Sequence, residues 1–321
     1  MDIDALSAQE RPNMLAEVAD MYYNQQKTQI EIAQHFGTTR FKVARLLQDA
    51  RSENIVEITI HYANERSRRL EEQLMDAFGL KAAIVVNTKY ASHAEGVRQI
   101  GQVGASYVDK LLHADSTLGI MWGKTIQPIV GQLPQTANKP VSVVQLAGQF
   151  SMPQASVESR ALVQAAVSAY FGTAYYFNTP LYVTSEGLRA QLMEEPGIKR
   201  TLEAARRLDV VLTGIGGSSS LPLTNKTFEA YLTEGDLARA EECAGSIYGR
   251  VFDDCGEVAD IDLNRRLMAT PIEDIMRAEH RIGVARGRNK APVAERVARS
   301  GLINELITDS QTASLMLNEA E

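Results

Sequence analysis

The stretch Thr28–Arg51, TQIEIAQHFGTTRFKVARLLQDAR, constrains the fold of this chain more than any other part of its sequence. Small Ala33 is followed by Gly37 after four residues and by Val43 after six more, with apolar residues between them. Ala33 allows two helices to approach closely, Gly37 supplies the left-handed backbone of a tight turn, and Val43 buries the second helix against the first. The spacing therefore predicts a helix-turn-helix.

Start signals are present for both helices of this motif. Thr28 with Glu31 forms a capping box for the first helix, and Thr38 or Thr39 can cap the second. A helical pattern over residues 13–23 predicts a supporting helix, and the alternating residues 55–60 predict a strand that leads into the polar turn of a wing. We therefore predict a winged helix-turn-helix domain over residues 1–62, with residues 1–11 as a disordered leader.

Positive charge is concentrated in this motif. The 321 residues carry a net charge of −7, yet residues 27–51 hold five basic and two acidic side chains. The motif is therefore at +3 and the remainder of the chain at −10. This distribution argues against a protein that coats nucleic acid or membranes along its whole surface, and it places the positive charge where a helix-turn-helix would contact DNA.

The cysteines and histidines of the sequence indicate which cellular compartment and which cofactors to expect. The two cysteines and five histidines have neither the number nor the spacing of a disulfide framework or a metal site. The N-terminus is acidic and polar where a secretory signal would be basic and then apolar, and no run of about 18 apolar residues is available for a membrane span. We expect a cytoplasmic protein with reduced thiols, no metal, no other cofactor and no membrane contact.

From residue 81 onward, strand and helix patterns alternate, which predicts a C-terminal α/β domain with a mostly parallel, Rossmann-like sheet over residues 63–321. The predicted strands are 83–86, 117–121, 141–146, 174–178, 210–213, 282–285 and 304–308, and the predicted helices are 97–112, 125–133, 159–171, 187–193 and 196–208. Residues 64–78 place Leu70, Leu74 and Phe78 at helical spacing. They can form a helix that packs on the C-terminal domain, a dimerising linker helix, or both.

Candidate ligand contacts follow the predicted strands, because open α/β sheets bind ligands at the carboxyl ends of their strands. Four of these loops, 122–125, 147–149, 214–218 and 286–290, contain glycine together with polar or basic residues. Free backbone N–H groups at a helix start suit a phosphate. The four loops predict a crevice for an anionic, hydroxylated ligand, and the candidate charges are Lys124, Arg286, Arg288 and Lys290.

Two alternatives apply to the first of these loops. Gly119, Gly123, Lys124 and Thr125 nearly match a Walker A nucleotide loop, but one residue is missing between the glycines and no apolar strand ends in an aspartate that could hold magnesium. The other alternative is a tight turn that needs glycine.

Catalytic machinery is not recognisable in the sequence. No serine or cysteine nucleophile has an evident histidine partner, and the acidic pairs 253–254 and 260/262 lie in segments where aspartates typically form turns. We therefore assign no catalytic residue.

Several stretches together resemble the SorC family of sugar-responsive bacterial transcriptional regulators. Met21-Tyr22-Tyr23 and the helix-turn-helix resemble its N-terminal domain, LGIMWGKTI its effector loop, LTGIGG its glycine turn, and AGSIYGRVFDDCG its segment that ends in aromatic-Asp. RGRNKAPVAERVARSGLINELITDSQTASLML is similar to its C-terminal motif, in which a lysine precedes a helix. The motifs occur in the same order over about residues 13–318.

The resemblance implies a C-terminal domain with the fold of glucosamine-6-phosphate deaminase, ribose-5-phosphate isomerase and CoA-transferase relatives. This domain would bind a sugar or polyol, most readily as its phosphate, and assemble into a homo-oligomer, a tetramer built as a dimer of dimers. With Gln149 from the strand-end loops, the predicted effector contacts are Gly123, Lys124, Thr125, Gln149, Gly214, Gly216, Gly217, Ser246 and Lys290.

Two of the matched positions depart from the family pattern. Ser246 stands where many relatives carry an acidic residue that grips sugar hydroxyls, and Arg286-Gly287 stands where a Gly-Gly pair usually precedes the lysine. The particular sugar is therefore not transferable from the family to this chain.

The combined features predict a regulator of carbohydrate or polyol catabolism genes that binds double-stranded operator DNA, is controlled by a sugar effector and is not an enzyme. The second helix of the motif would enter the major groove. The residues predicted nearest the bases are Thr38, Thr39, Arg40, Lys42 and Val43, and those nearer the phosphates are Thr28, Gln29 and Arg45. The rival is a sugar-phosphate isomerase- or deaminase-like enzyme fused to a DNA-binding domain, and induction and repression are equally open.

Overall fold

The structure, a computed structural model, describes residues 11–53, 55–56, 66–88, 91–135, 139–149, 159–217 and 221–318. The chain divides into two units, Met1–Ala63 and Asn64–Glu321. Most of the predicted leader, the predicted wing strand beyond residue 56 and the turn that follows it lie outside the described residues. Arg11, assigned to the leader, instead begins the first helix.

Three helices form the described part of the first unit: α1 Arg11–Tyr23, α2 Gln29–Phe36 and α3 Arg40–Ser52. Thr28 and Glu31 form the predicted capping box, and Gly37 ends α2 with a left-handed φ of 64°. Of the two possible caps for α3 the structure uses Thr39, whose hydroxyl accepts from the Lys42 N–H. Side chains from all three helices share one apolar core. The predicted supporting helix and helix-turn-helix are confirmed.

The second unit alternates helices and strands. Its strands are β1 Ala82–Val86, β2 Thr117–Ile120, β3 Ser142–Gln145, β4 Ala174–Tyr175, β5 Val210–Gly214, β6 Cys243–Ile247, β7 Arg250–Asp253, β8 His280–Val284 and β9 Glu305–Asp309. Its helices are α4 Arg68–Phe78, α5 His93–Leu111, α6 Gln127–Val130, α7 Ser159–Tyr170, α8 Glu186–Met193, α9 Pro196–Ala205, α10 Glu234–Ala238, α11 Asp262–Arg265, α12 Ile272–Met276, α13 Ala291–Arg299 and α14 Ser310–Met316.

Seven strands form one parallel sheet in the order β1-β9-β8-β5-β2-β3-β4. Neighbouring residues of one strand enter different cores: Val85 packs in the cluster that contains residues of α4, α13 and α14, whereas Ile84 and Val86 pack in the cluster that contains residues of α5 and α7. Both faces of the sheet are thus covered, which explains its continuous apolar strands. The predicted α/β class with a parallel sheet is confirmed.

Several element ends differ from the predicted ones. Helix α5 begins at His93 rather than residue 97, because the Ser92 hydroxyl accepts from the Glu95 N–H and caps the helix earlier. Helix α6 is confined to Gln127–Val130, so Thr125 stays in the loop. Strand β4 has two residues rather than five, since it lies at the edge of the sheet and pairs only with β3.

A β-hairpin, β6–β7, was not predicted. Its two turn residues, Tyr248 and Gly249, both have positive φ, 54° and 78°. Such turns usually carry Asn-Gly or Asp-Gly, so the Tyr-Gly turn of this chain lacks the usual sequence signal of a hairpin. The Tyr248 hydroxyl donates to the Leu302 carbonyl over 2.8 Å in the buried interior, and this contact holds the turn.

Helix α4 packs inside the second unit, as one of the two interpretations of residues 64–78 predicted. Leu70, Leu74 and Phe78 are buried in its core, and the buried carboxylate of Glu71 accepts from the Val85 N–H over 3.0 Å and from Arg66 over 2.6 Å. The dimerising role stays a prediction. Among the described residues, no helix has the length and apolarity required to cross a membrane.

Candidate effector site and nucleic-acid interface

In the first unit, most predicted DNA contacts lie on the surface near the starts of α2 and α3. Arg40, Arg45, Thr28 and Thr39 are exposed, and Gln29, Thr38 and Lys42 are half-buried. The prediction that Val43 contacts a base is wrong. Val43 is wholly buried in the core of the three helices, so its side chain is unable to reach a base. The spacing that predicts Val43 in the core of the motif also excludes it from the interface.

Three of the predicted contacts share one shallow concavity of about 550 Å³. It lies around the turn between α1 and α2 and reaches the first residue of α3, and its lining residues are Tyr22, Gln26, Lys27, Thr28, Gln29, Ile30 and Arg40. Lys27 and Arg40 make this surface basic. A helix start beside two cations favours a phosphate group of a DNA backbone.

The charges of α3 differ in whether they are already neutralised. Near its C-terminal end, Asp49 accepts from Arg11 over 2.6 Å and Arg51 donates to the Tyr23 hydroxyl. Arg40 and Arg45 have no acidic partner among the described residues. Arg40 and Arg45, in the first half of α3, therefore present positive charge that no described acidic side chain neutralises.

In the second unit, the four glycine- and polar-rich loops follow β8, β5, β2 and β3, which are consecutive in the sheet. Because all these strands are parallel, the loops gather at one edge. Close approach is visible at Gly214, where an added Cβ would lie 3.2 Å from the Thr125 Oγ1 and 3.7 Å from the Trp122 carbonyl oxygen. At Gly217 an added Cβ would lie 3.0 Å from the Asn289 carbonyl oxygen. The structure thus brings Gly123, Thr125, Gly214, Gly217 and the Lys290 turn together.

The hairpin β6–β7 lies against the same strand ends. Gly216 and Ser246 exchange two backbone hydrogen bonds of 2.8 and 2.9 Å, so the predicted glycine turn and the predicted serine position are direct neighbours. The Tyr182 hydroxyl donates to the Gly249 carbonyl over 3.0 Å. Ser246 therefore reaches the site through the hairpin, an arrangement that its distance along the chain did not reveal.

Lys290 is the predicted cation with the most unusual environment. Its side chain is half-buried, and it forms no ion pair or side-chain hydrogen bond with the part of the chain that the structure describes. Burial lowers the pKa of its ammonium group. Its Cγ would lie 3.8 Å from a Cβ on Gly217, so the lysine stem follows the glycine turn. Lys124 is exposed at the start of the neighbouring loop.

Arg286, another candidate ligand charge, already forms an ion pair within the protein. Arg286 pairs with Asp309 over 3.1 Å and contacts the His93 ring nitrogen over 3.2 Å. Its guanidinium would also lie 2.8 Å from a Cβ on Gly96 of α5. Arg286 thus joins β8, β9 and α5, and its charge is balanced by Asp309 in the free protein.

Contrary to the expectation from the sequence, β7 and β9 do end in aspartates, Asp253 and Asp309. The Walker A alternative instead fails at Gly119. This residue lies inside β2, where an added Cβ would meet Leu208 and Leu146 at 2.7 and 2.8 Å. It is a packing glycine of the sheet and belongs to no phosphate loop. At the acidic pairs, Asp253 accepts from the N–H groups of Cys255 and Glu257, as the turn interpretation predicts.

Gln149 lines a separate cavity of about 440 Å³ beside the end of β3. The other lining residues are Asn178, Thr179, Pro180, Leu181, Tyr182, Thr227, Phe228 and Tyr231. None of the other predicted effector residues lines this cavity. The Thr179 hydroxyl is buried and has no hydrogen-bond partner within the described part of the chain, and aromatic rings form part of the wall. The cavity combines apolar surface with a few polar groups, as ligand pockets do.

Arg250, the first residue of β7, is a half-buried cation. Its guanidinium donates to the carbonyl oxygens of Thr270 and Tyr248 over 2.7 and 3.1 Å. Burial lowers its pKa to about 10. No sequence pattern identifies this position, because its partners are backbone groups brought together by the hairpin.

Replacing Gly245 of β6 with alanine is expected to lower the free energy of unfolding by about 1–3 kcal/mol, because overpacking forces neighbours to shift. An added Cβ would lie 2.4 Å from Val293 Cγ1, 2.7 Å from Phe252 Cζ and 2.9 Å from the Gly216 carbonyl oxygen. Denaturant unfolding of the full chain measures the effect. In the control, Gly187→Ala in α8, the added Cβ has no described atom within 4 Å, so the variant should keep the original stability or gain up to about 1 kcal/mol. Equal stability of the two variants would contradict the close approach of the hairpin.

Comparisons with known proteins agree over nearly the whole length. Residues 62–318 match the family described as "Putative sugar-binding domain". The sorbitol operon regulator of Klebsiella pneumoniae is 29% identical over 309 residues, which are 95% of this chain and 97% of that protein. The transcriptional regulator LsrR of Escherichia coli O139:H28 (strain E24377A / ETEC) is 29% identical over 310 residues, with 94% of each chain covered.

A solved structure shares the architecture. The full-length sorbitol operon regulator SorC from Klebsiella pneumoniae superimposes with a TM-score of 0.72 at 27% identity, and the match covers 95% of this chain and 98% of that one. These relatives are transcriptional regulators and not enzymes. The rival interpretation, an isomerase or deaminase fused to a DNA-binding domain, is therefore rejected.

Proposed function

Because the chain belongs to the SorC family of sugar-binding transcriptional regulators, we propose that it regulates genes of carbohydrate or polyol catabolism and that a phosphorylated sugar or polyol controls its binding to operator DNA. Residues 1–62 bind DNA in this proposal. Residues 63–321 bind the effector and hold the protein together as a homo-oligomer.

The observation that carries the effector part is the position of Lys290. A half-buried ammonium group without a partner among the described residues lies beside the glycine turn, with its stem close to Gly217. An anion placed there gains a charge-assisted hydrogen bond and removes the cost of an unpaired charge. A phosphate held by Lys290, with Lys124 and the 123–125 loop on its other side, satisfies both requirements.

The hydroxyl groups of the effector would face neutral partners. The Ser246 hydroxyl offers a donor and an acceptor, whereas a carboxylate at position 246 would only accept. The sorbitol operon regulator is named for a polyol, which makes polyols and their phosphates the first compounds to test for this chain.

DNA binding would use α3 in the major groove and the concavity at the start of α2 on the backbone. One helix-turn-helix contacts too few bases for useful specificity, so two half-sites and at least a dimer are needed, and we propose a tetramer built as a dimer of dimers. The effector would favour one arrangement of the oligomer, with a coupling of about 1–3 kcal/mol.

A thermal-shift screen of sugars, polyols including sorbitol, and their phosphates tests the effector. A ligand that binds only the native state raises the melting temperature, so one phosphorylated compound should raise it more than its unphosphorylated form. Light scattering with and without that compound gives the oligomer mass. A screen in which only unphosphorylated compounds shift the melting temperature would contradict the anion site.

Replacing Arg40 with alanine is expected to weaken operator binding by about 1–3 kcal/mol and to relax sequence specificity if Arg40 contacts a base. Fluorescence anisotropy with operator and random duplexes measures both. Arg11→Ala is the control, because Arg11 is paired with Asp49 and lies on α1. Equal weakening on both duplexes would instead assign Arg40 to a phosphate.

A further inference from the structure

Phe41, the second residue of α3, carries an aromatic side chain that is not buried in the core of its unit. It is 78% exposed, the highest exposure among the large apolar residues that the structure describes. The buried residues of the helix are Val43, Leu46, Leu47 and Ala50. At about 100° per residue, Phe41 points roughly opposite to the centre of that buried face. It therefore occupies the middle of the surface that α3 presents outward.

The surroundings of Phe41 are basic. The Arg40 guanidinium lies 5.3 Å from the centre of its ring, within the range of a cation–π contact. Arg45 follows one turn later on the exposed side, and it has no acidic partner among the described residues. An apolar partner protein would have to desolvate these charges, whereas a polyanion is attracted by them. The occupant that fits both the charge and the ring is DNA.

We propose, on the basis of the proposed DNA-binding function, that Phe41 reads the 5-methyl group of a thymine in the major groove of the operator. The major groove admits an α-helix, and the thymine methyl is the apolar group that the base edges present there. Phe41 is central on the helix face that would enter the groove, and Arg40 against its ring would lie toward the neighbouring base pair or phosphate. Phe41 is absent from the contacts that the polar residues of the motif suggest.

The test uses an operator selected from random duplexes with the full-length protein. Each thymine of that operator is then replaced in turn by deoxyuridine, which removes only the methyl group. The unsubstituted protein should lose affinity about four-fold at one thymine of each half-site, a change that corresponds to about 0.8 kcal/mol for one buried methyl-sized group. Phe41→Ala should bind the intact operator at least four-fold more weakly, and it should no longer distinguish thymine from uracil at that position.

The conservative variant Phe41→Leu keeps an apolar side chain and should retain part of the preference for thymine. Both variants should keep the melting temperature, because Phe41 is exposed. Sequence-specific binding without sensitivity to any thymine methyl would overturn the inference alone, as would a Phe41→Ala protein that still senses the methyl. A changed oligomer mass of Phe41→Ala in analytical ultracentrifugation would assign the ring to a protein contact instead. If the unsubstituted protein enriches no sequence from the random duplexes, the proposal that the protein binds an operator is contradicted, and the inference about Phe41 is contradicted as well.

Discussion

Replacing Lys290 with methionine is expected to weaken binding of the effector phosphate about 10- to 100-fold, without loss of folding stability. A hydrogen bond to a charged group contributes about 1.5–3 kcal/mol, which corresponds to that range. In the free protein the ammonium is half-buried and has no partner among the described residues, so its removal leaves no other charge unpaired. The two effects together distinguish a ligand contact from a structural lysine.

The pKa of Lys290 gives the sign of the stability effect. Burial lowers this pKa, so the folded protein disfavours the charged form. The cost is fully present below the folded pKa and disappears as the pH rises through the ordinary value of lysine. At neutral pH, Lys290→Met should therefore keep or raise the melting temperature of the free protein.

Isothermal titration calorimetry with the sugar phosphate that gives the largest thermal shift measures the affinity. Lys199→Met is the matched control, because Lys199 is exposed and pairs with Glu194. It should leave the affinity unchanged. Unaltered phosphate binding by Lys290→Met would remove Lys290 from the effector site, and a large loss of stability would make it structural.

Replacing Asp236 with asparagine is expected to destabilise the second unit by about 3–5 kcal/mol, because breaking a buried ion pair leaves the other charge uncompensated. Asp236 is wholly buried and accepts from Arg266 over 3.1 Å and from the Leu263 N–H over 2.9 Å. Arg266 in turn donates to the Tyr231 carbonyl over 2.7 Å. The pair therefore supports a wall of the cavity that Gln149 lines.

Thermal unfolding measures this effect, and the expected fall in melting temperature is roughly 6–20 °C. Asp260→Asn is the control, because its ion pair with Arg265 is at the surface and Asp260 is 74% exposed. That variant should lose at most about 1 kcal/mol. Similar losses for the two aspartates would show that the buried pair contributes no more than a surface one.

The helix-turn-helix and the parallel sheet are predictable from the sequence, whereas the exact ends of the helices are not. The helix-turn-helix follows from local chemistry, since Thr28 and Glu31 cap α2 and Gly37 supplies the turn. The parallel sheet follows from alternating strand and helix patterns, and the four strand-end loops do meet at one edge. Helix ends were less certain, because a single capping residue such as Ser92 moves the start of a helix.

Three features of the site and fold depend on contacts between residues that are distant in the sequence or on burial in the folded core. The ion pair of Arg286 with Asp309, a residue 23 positions later in the chain, is visible only in the folded protein. The side chain of Val43 is wholly buried in the core of the three helices, so none of it is left to contact DNA. The hairpin depends on Tyr248, whose positive φ is supported by a hydrogen bond to Leu302 over 54 positions of sequence.

The sequence by itself therefore determined the two-part organisation, the seven strands of the parallel sheet, and the residue types at the ends of those strands, because these depend on patterns within a few residues. Only the tertiary structure decided which charges stay available. Whether a lysine or arginine can serve a ligand depends on acidic groups that approach from other elements: Arg286 has such a partner, and among the described residues Lys290 has none.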